Sequence, residues 1–381
     1  MYGILFLVMY MNSNKVLLEE YKLKRAYKFE KLDNPVSKKA LYTHVGDYLF
    51  DNYGVSYLNL SDYDFSQLSL KDMTHIAFSS STIWPDKNKL PEGFNPNDIL
   101  ADCTTVGEDI KKIHKEGITG EGVTVAVIDS SFQGVGHIEF RGARLVRATL
   151  PNVRLDEYCH FHMECVLAKL VGKNLGVAPG CKVLCYEVNT DEDNTVDIVR
   201  CLEDIKRRIG RGEVIKAVNI SATAEEYYDG YNEYNALVKE LSTMGCEVID
   251  STRFGEDFFC CSSTFMDSRE KSFKEASFIQ SYSPELKKAC NDKVNFVCSG
   301  RTLPEFCNNE GYKYETVDCF SWTIPQVVGL YALCISQVKD MSFDMFVSIC
   351  KQTSKVNANG IRLVQPKKVI ETAKKIGARN I

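Results

Sequence analysis

A chain of 381 residues, 44% hydrophobic and 25% charged, has the make-up expected of a soluble globular protein rather than a disordered or membrane one. Its 46 basic and 51 acidic residues leave a formal charge of −5; the signs are interspersed, and no basic stripe points to a nucleic-acid partner. Fifteen cysteines, an odd number that includes the adjacent pair Cys260-Cys261, suit no simple disulfide scaffold and read as reduced, buried thiols of a cytoplasmic protein.

The apolar start, Tyr2 to Met11, lacks a basic flank and a cleavage site and is too short to span a bilayer. It reads as an interior strand or a misplaced start rather than a signal peptide, and no membrane association is expected. Residues 1–80 carry no strong helical period. The turn-rich stretch from Trp84-Pro85 through Pro91-Glu92-Gly93-Phe94-Asn95-Pro96 reads as a surface linker. Residues 1–105 are therefore expected to form an extension or accessory domain, and residues 106–381 the main domain.

Asp109 to Lys115 predicts a short helix ending at Gly117. Val123 to Ile128 is a β-branched run that predicts a strand buried on both faces, with Asp129 at its carboxyl end. Lys182 to Val188, Val214 to Ile220, Cys246 to Ile249 and Val294 to Val297 predict further strands. Between them, Ile198, Leu202, Ile205 and Ile209 recur at helical spacing, and Asn232 to Met244 predicts a second helix. This alternation implies an α/β fold, a parallel sheet with helices on both faces. Functional groups of such sheets gather beyond the strands' carboxyl ends.

Three segments carry chemistry. Gly117-Ile-Thr-Gly-Glu-Gly-Val-Thr-Val-Ala-Val-Ile-Asp129-Ser130 delivers a carboxylate to the sheet edge. By itself it fits a ribose- or magnesium-binding Asp equally well. Cys159-His160-Phe-His162-Met-Glu-Cys165 opens a helical run that reaches Gly172 and then Gly176-Val-Ala-Pro179. Cys159, His162, Cys165, Cys181 and Cys185 offer a rival zinc reading, although their spacing matches no common zinc motif. Cys319-Phe-Ser321-Trp-Thr-Ile-Pro325-Gln-Val-Val-Gly329 places a serine at the start of an apolar helix. There its own N–H and the helix dipole face a developing oxyanion, and Pro325 reads as a first-turn proline.

Taken together and in this order, the segments resemble the Asp, His and Ser motifs of the subtilisin-like serine peptidases. The resemblance covers about residues 110–375. It implies a subtilisin-like fold and a triad of Asp129, His162 and Ser321, with His137 as the non-catalytic histidine that follows the Asp motif. His162 is preferred over His160 because it brings Gly172 into register. Ser131 stands where the family usually has a glycine, and Met163-Glu164 replaces its Gly-Thr. Asn219-Ile-Ser221-Ala222-Thr223 occupies the family's substrate-pairing strand, so Ser221, Ala222 and Thr223 are expected to bind substrate, with Thr223 narrowing the cleft. The family's oxyanion asparagine has no counterpart in Ile249-Asp-Ser-Thr-Arg253-Phe254-Gly255, and Arg253 is the candidate replacement. Val294 to Gly300 and the tail from Phe343 to Val364 resemble later parts of the same domain.

The expected activity is a serine endopeptidase of narrow specificity, acting on a peptide or protein precursor without a cofactor or metal. A catalytically impaired peptide-binding relative is the alternative, and an unrelated doubly wound binding protein is a third.

Overall fold

The computed structural model describes residues 35–36, 54–74, 76–132, 136–148, 150–151, 162–189, 195–222, 224–261, 292–297, 301–305, 308–316, 319–357 and 360–378. The segment Tyr2–Met11, Cys159, His160 and Thr223 lie outside them.

Ahead of the first long strand, the chain builds a small core from short elements: α1 (Leu70–Met73), β1 (Phe78–Ser79) and α2 (Pro96–Cys103). Ser69 and Asp72 cap α1 reciprocally. Pro96 opens α2 behind the cap Asn95, a position where a missing N–H leaves nothing unpaired. Phe65, Phe78, Trp84 and Phe94 meet edge to face, with ring centroids 5.0 to 6.0 Å apart. The stretch from Trp84 to Pro96 is thus not the surface linker its composition predicts. Its turn residues bend the chain so that both aromatic rings face inward. Tyr314, from far along the chain, belongs to this same core.

Helix α3 (Glu108–Lys115) ends where Gly117 adopts a φ of 80°, a left-handed turn that suits glycine. Then come β2 (Thr124–Asp129), β3 (Arg144–Arg147), α4 (His162–Val171), β4 (Lys182–Glu187), α5 (Thr195–Gly210), β5 (Ala217–Ile220), α6 (Tyr231–Thr243), β6 (Glu247–Ile249) and α7 (Ser251–Asp257). The five strands β3-β4-β2-β5-β6, in that spatial order, form a parallel sheet. Alternate residues of β2 serve the two faces. Val125 and Val127 pack in the core that contains α4; Ala126 and Ile128 pack in the one that contains α5 and α6. Burial on both faces is why the strand reads as a continuous apolar run.

The chain continues through β7 (Phe258–Cys261), β8 (Val294–Val297), β9 (Arg301–Pro304), β10 (Tyr312–Glu315), α8 (Phe320–Gln337), α9 (Phe343–Thr353), β11 (Lys355–Val356), β12 (Arg362–Leu363) and α10 (Pro366–Gly377). Strands β11-β12-β8-β7 form a second sheet and β1-β10-β9 a third. Helix α8 is apolar nearly all round and buried nearly all round. Gly329 permits this, because a Cβ there would stand 2.7 Å from the Cβ of Val177. Among the described residues no helix is long and apolar enough to cross a membrane.

Candidate active site

Asp129 ends β2 and is buried. Its Oδ1 accepts the Ser130 N–H at 2.7 Å. His162 opens α4, and its Nδ1 lies 2.8 Å from Asp129 Oδ1 and 3.0 Å from Oδ2. A carboxylate on both sides of Nδ1 makes that nitrogen the protonated one, which leaves Nε2 as the basic nitrogen of the neutral ring. Burial by itself would lower the imidazole's pKa. The Asp129 carboxylate, helped by Glu164, outweighs it and lifts the value above the ordinary histidine range. The other face of the ring meets Trp322, with centroids 5.0 Å apart. Trp322 adjoins Ser321, so the start of α8 stands beside the imidazole.

Ser321 is the second residue of α8 and is buried, so its N–H has no partner within the helix. Pro325 lies deeper than the sequence suggests. It sits inside the helix, four residues after Ser321, and its absent N–H is the one that would have bonded the Ser321 carbonyl. The Ser221 hydroxyl takes that place, donating to Ser321 O at 3.3 Å. Ser221 Oγ accepts in turn from Asn219 Nδ2 at 3.1 Å, and Asn219 is fully buried on β5. A proline in one motif and a serine in another are thus two halves of one hydrogen-bonding arrangement.

The loop after Asp129 is held from β4. Glu187 stands beside Asp129 in the parallel register, and its Oε1 accepts the Phe132 N–H at 2.6 Å. His137 and Glu139 close the same region. His137 Nδ1 accepts the Glu139 N–H at 3.2 Å, and Nε2 lies 2.9 Å from Gly311 O. The buried Glu139 carboxylate receives the N–H groups of Asn174 and Leu175 and the Tyr312 hydroxyl. Gly172, the motif glycine, admits that carboxylate, since a Cβ there would stand 2.4 Å from Glu139 Oε2.

The other wall is built differently. Ser251 donates to Ala222 O through both N–H and Oγ, at 3.1 and 3.0 Å, which ties the chain after β5 to the start of α7. Asp250 caps α7 by accepting the Arg253 N–H at 2.7 Å and also receives the Tyr234 hydroxyl at 2.6 Å. Burial and Asp250 push the Tyr234 pKa upward. Arg253 does not serve as the donor its position in the sequence suggests. Its guanidinium bonds Glu247, Glu256, Asp257 and Asp344 at 2.6 to 3.0 Å and lies over the Phe343 ring. Four carboxylates outcompete any role in the cleft, so this candidate is withdrawn on geometry. Ser221 and Ala222 do lie at the carboxyl end of β5 beside Ser321.

The zinc alternative finds no support among the described residues, where no three His, Cys, Asp or Glu side chains come together as a metal site. Burial pushes the Cys181 and Cys185 thiols up to about 12, so both stay protonated near neutrality. Cys103, Cys165, Cys181, Cys185, Cys201, Cys246, Cys334 and Cys350 are free thiols, and all of them are buried. The roles of Trp322, Glu187 and the Asn219–Ser221 hydrogen bond escaped the sequence reading. Of these, only Glu187 carried a signal, a carboxylate at a strand's carboxyl end like Asp129.

No protein-family model matches the chain, and no curated protein matches it. Solved structures do. The PatG macrocyclase in complex with peptide superposes with a TM-score of 0.51 at 10% identity, over 69% of this chain and 95% of that one. The PatG macrocyclase domain gives 0.50 at 11% identity, over 69% and 94%. A cold adapted subtilisin-like serine proteinase gives 0.45 at 14% identity, over 64% and 89%. The fold is accordingly an α/β architecture shared with the PatG macrocyclase domain.

Proposed function

We propose that the protein is a serine endopeptidase of narrow specificity that uses Asp129, His162 and Ser321. The observation that carries this reading is the clasp of His162 Nδ1 by both oxygens of Asp129, with the start of the Ser321 helix against the same ring. In the reaction Ser321 Oγ attacks the scissile carbonyl while His162 Nε2 takes its proton. Asp129 holds the tautomer and stabilises the imidazolium. The tetrahedral oxyanion is met by the N–H groups at the start of α8. His162 then returns the proton to the leaving amine, and water resolves the acyl-enzyme through the same base.

A peptide as substrate is supported by the likeness to a macrocyclase captured with one. Narrowness is supported by Ser251, which fastens the two strand ends that border the cleft. The free thiols support a reducing, cytoplasmic setting. A fluorophosphonate probe tests the reading: Ser321 labels in the intact protein and the Ser321→Ala variant does not. The second reading, an impaired peptide-binding relative, is favoured by the commitment of Arg253 to four carboxylates. Folded protein that binds peptides yet never labels would establish it.

A further inference from the structure

We infer that residues 54–105 are a positioning module for the nucleophile, a role that rests on the serine-peptidase reading above. The hairpin β9–β10 touches every segment that carries a member of the proposed triad. Tyr312 OH donates to Glu139 Oε1 at 2.5 Å, and Glu139 lies on the segment that follows Asp129. Lys169 lies on α4, the helix of His162, and its buried Nζ donates to Thr302 O on β9 at 2.8 Å. The carboxyl end of β10, Glu315, leads within six residues to Ser321. The hairpin is therefore the common support of three side chains that are far apart in sequence.

The third strand of that sheet is β1, supplied by the N-terminal module. Phe78 pairs with Tyr314 and Ser79 with Lys313. Ser80 N–H donates to Tyr312 O at 2.9 Å, and the Ser80 hydroxyl receives the Tyr312 N–H at 2.9 Å. Ser81 N–H donates to Glu305 Oε1 at 3.0 Å, and Tyr314 OH to Thr74 O at 2.9 Å. Thr104 and Thr302 join their hydroxyls at 3.0 Å. Tyr314 and Phe78 are fully buried in one shared core, their ring centroids 5.3 Å apart. Without β1, β10 becomes an open sheet edge. Lys169, Lys313 and Glu315, all nearly fully buried, then lose the cover that keeps them in register. A loosened hairpin moves Ser321 relative to His162, and misplacements of about 1 Å cost up to about a hundredfold in rate.

The test uses the full chain with Phe78→Ala, Phe78→Leu and Tyr314→Phe. Fluorophosphonate labelling is resolved into its rate constant at saturating probe and its half-saturating concentration, and hydrogen exchange is followed at 301–305, 308–316 and 319–323. For Phe78→Ala the saturating rate is expected to fall about ten- to a hundredfold with the half-saturating concentration nearly unchanged. Exchange should rise at 319–323 while β2, β4 and β5 stay protected. Phe78→Leu, which refills the core, should recover most of the rate. Tyr314→Phe keeps the ring and removes the hydroxyl that bonds Thr74 O, so it serves if Phe78→Ala fails to fold; it should show the same pattern in smaller measure. The inference is overturned if exchange rises across 54–105 while exchange at 319–323 and the saturating rate stay at wild-type values. If wild-type Ser321 does not label at all, the peptidase reading fails, and the exchange experiment still decides whether the module holds this segment.

Discussion

The two walls of the cleft are built on different logic. On the Asp129 and His162 side, a buried carboxylate, a capped loop and a helix start converge on one imidazole. On the β5–β6 side, polar and charged side chains are turned to structural work: Ser251 to Ala222, Asp250 to its helix and Tyr234, Arg253 to four carboxylates. Proton transfer demands one geometry. Oxyanion and side-chain recognition can be met by backbone groups and by walls of many shapes.

The comparison breaks first at Asp129. Asp129→Asn keeps the shape and reverses the hydrogen bond to Nδ1, so the labelling rate of Ser321 should fall by about 10³- to 10⁴-fold; a loss below tenfold would mean that the Asp–His pair is not working as a catalytic unit. Next comes Ser221→Ala, which strips the Ser321 carbonyl of its donor. About 1–3 kcal/mol of stability should be lost in denaturant unfolding, with a labelling rate about tenfold lower. Pro325→Ala supplies the missing N–H, so the double variant should recover much of both, and simple additivity would refute the link.

A pH profile sharpens the same contrast. Catalysis needs neutral His162, and its raised pKa places the acid-side half-rise of the labelling rate above the ordinary histidine value of 6.5. Glu164→Gln should move that half-rise toward lower pH, and a shift upward would contradict the assignment. The sign for stability is opposite. The pair stabilises the fold fully below the unfolded value, and that contribution fades as pH rises through the folded one. The smallest effect on activity belongs to Arg253→Ala. Activity should stay within about twofold of wild type, because the guanidinium is committed to four carboxylates. Stability should fall by about 1–2 kcal/mol as Glu247 and Asp257 lose their partner. A large activity loss without a stability loss would restore Arg253 as a donor.

The sheet was legible because burial on both faces writes itself as unbroken runs such as Val123 to Ile128, and observed strand limits differ from the predicted ones by no more than three residues. Asp129, His162 and Ser321 were legible as motif residues with fixed spacing to Gly172, Pro325 and Gly329. Spacing could not show which carbonyl Pro325 leaves open or that Ser221 fills it, because that bond joins strands and helices a hundred residues apart. Arg253 misled in part for the same reason: Glu256 and Asp257 are neighbours on its own helix, but Glu247 on β6 and Asp344 at the start of α9 reach it only in the folded chain. The small N-terminal core was hidden by composition. Pro, Gly and Asn around Trp84 and Phe94 signal turns, and turns that fold inward look the same in sequence as turns that face water.

The contact between Trp322 and His162 has an optical consequence. The chain has two tryptophans. One, Trp84, is packed in the N-terminal core, and the other, Trp322, lies 5.0 Å from the His162 imidazole. A protonated imidazole withdraws electron density from an excited indole and dims its emission. The intrinsic fluorescence of Trp322 should therefore brighten as His162 loses its proton, and the site reports its own charge state without substrate or label.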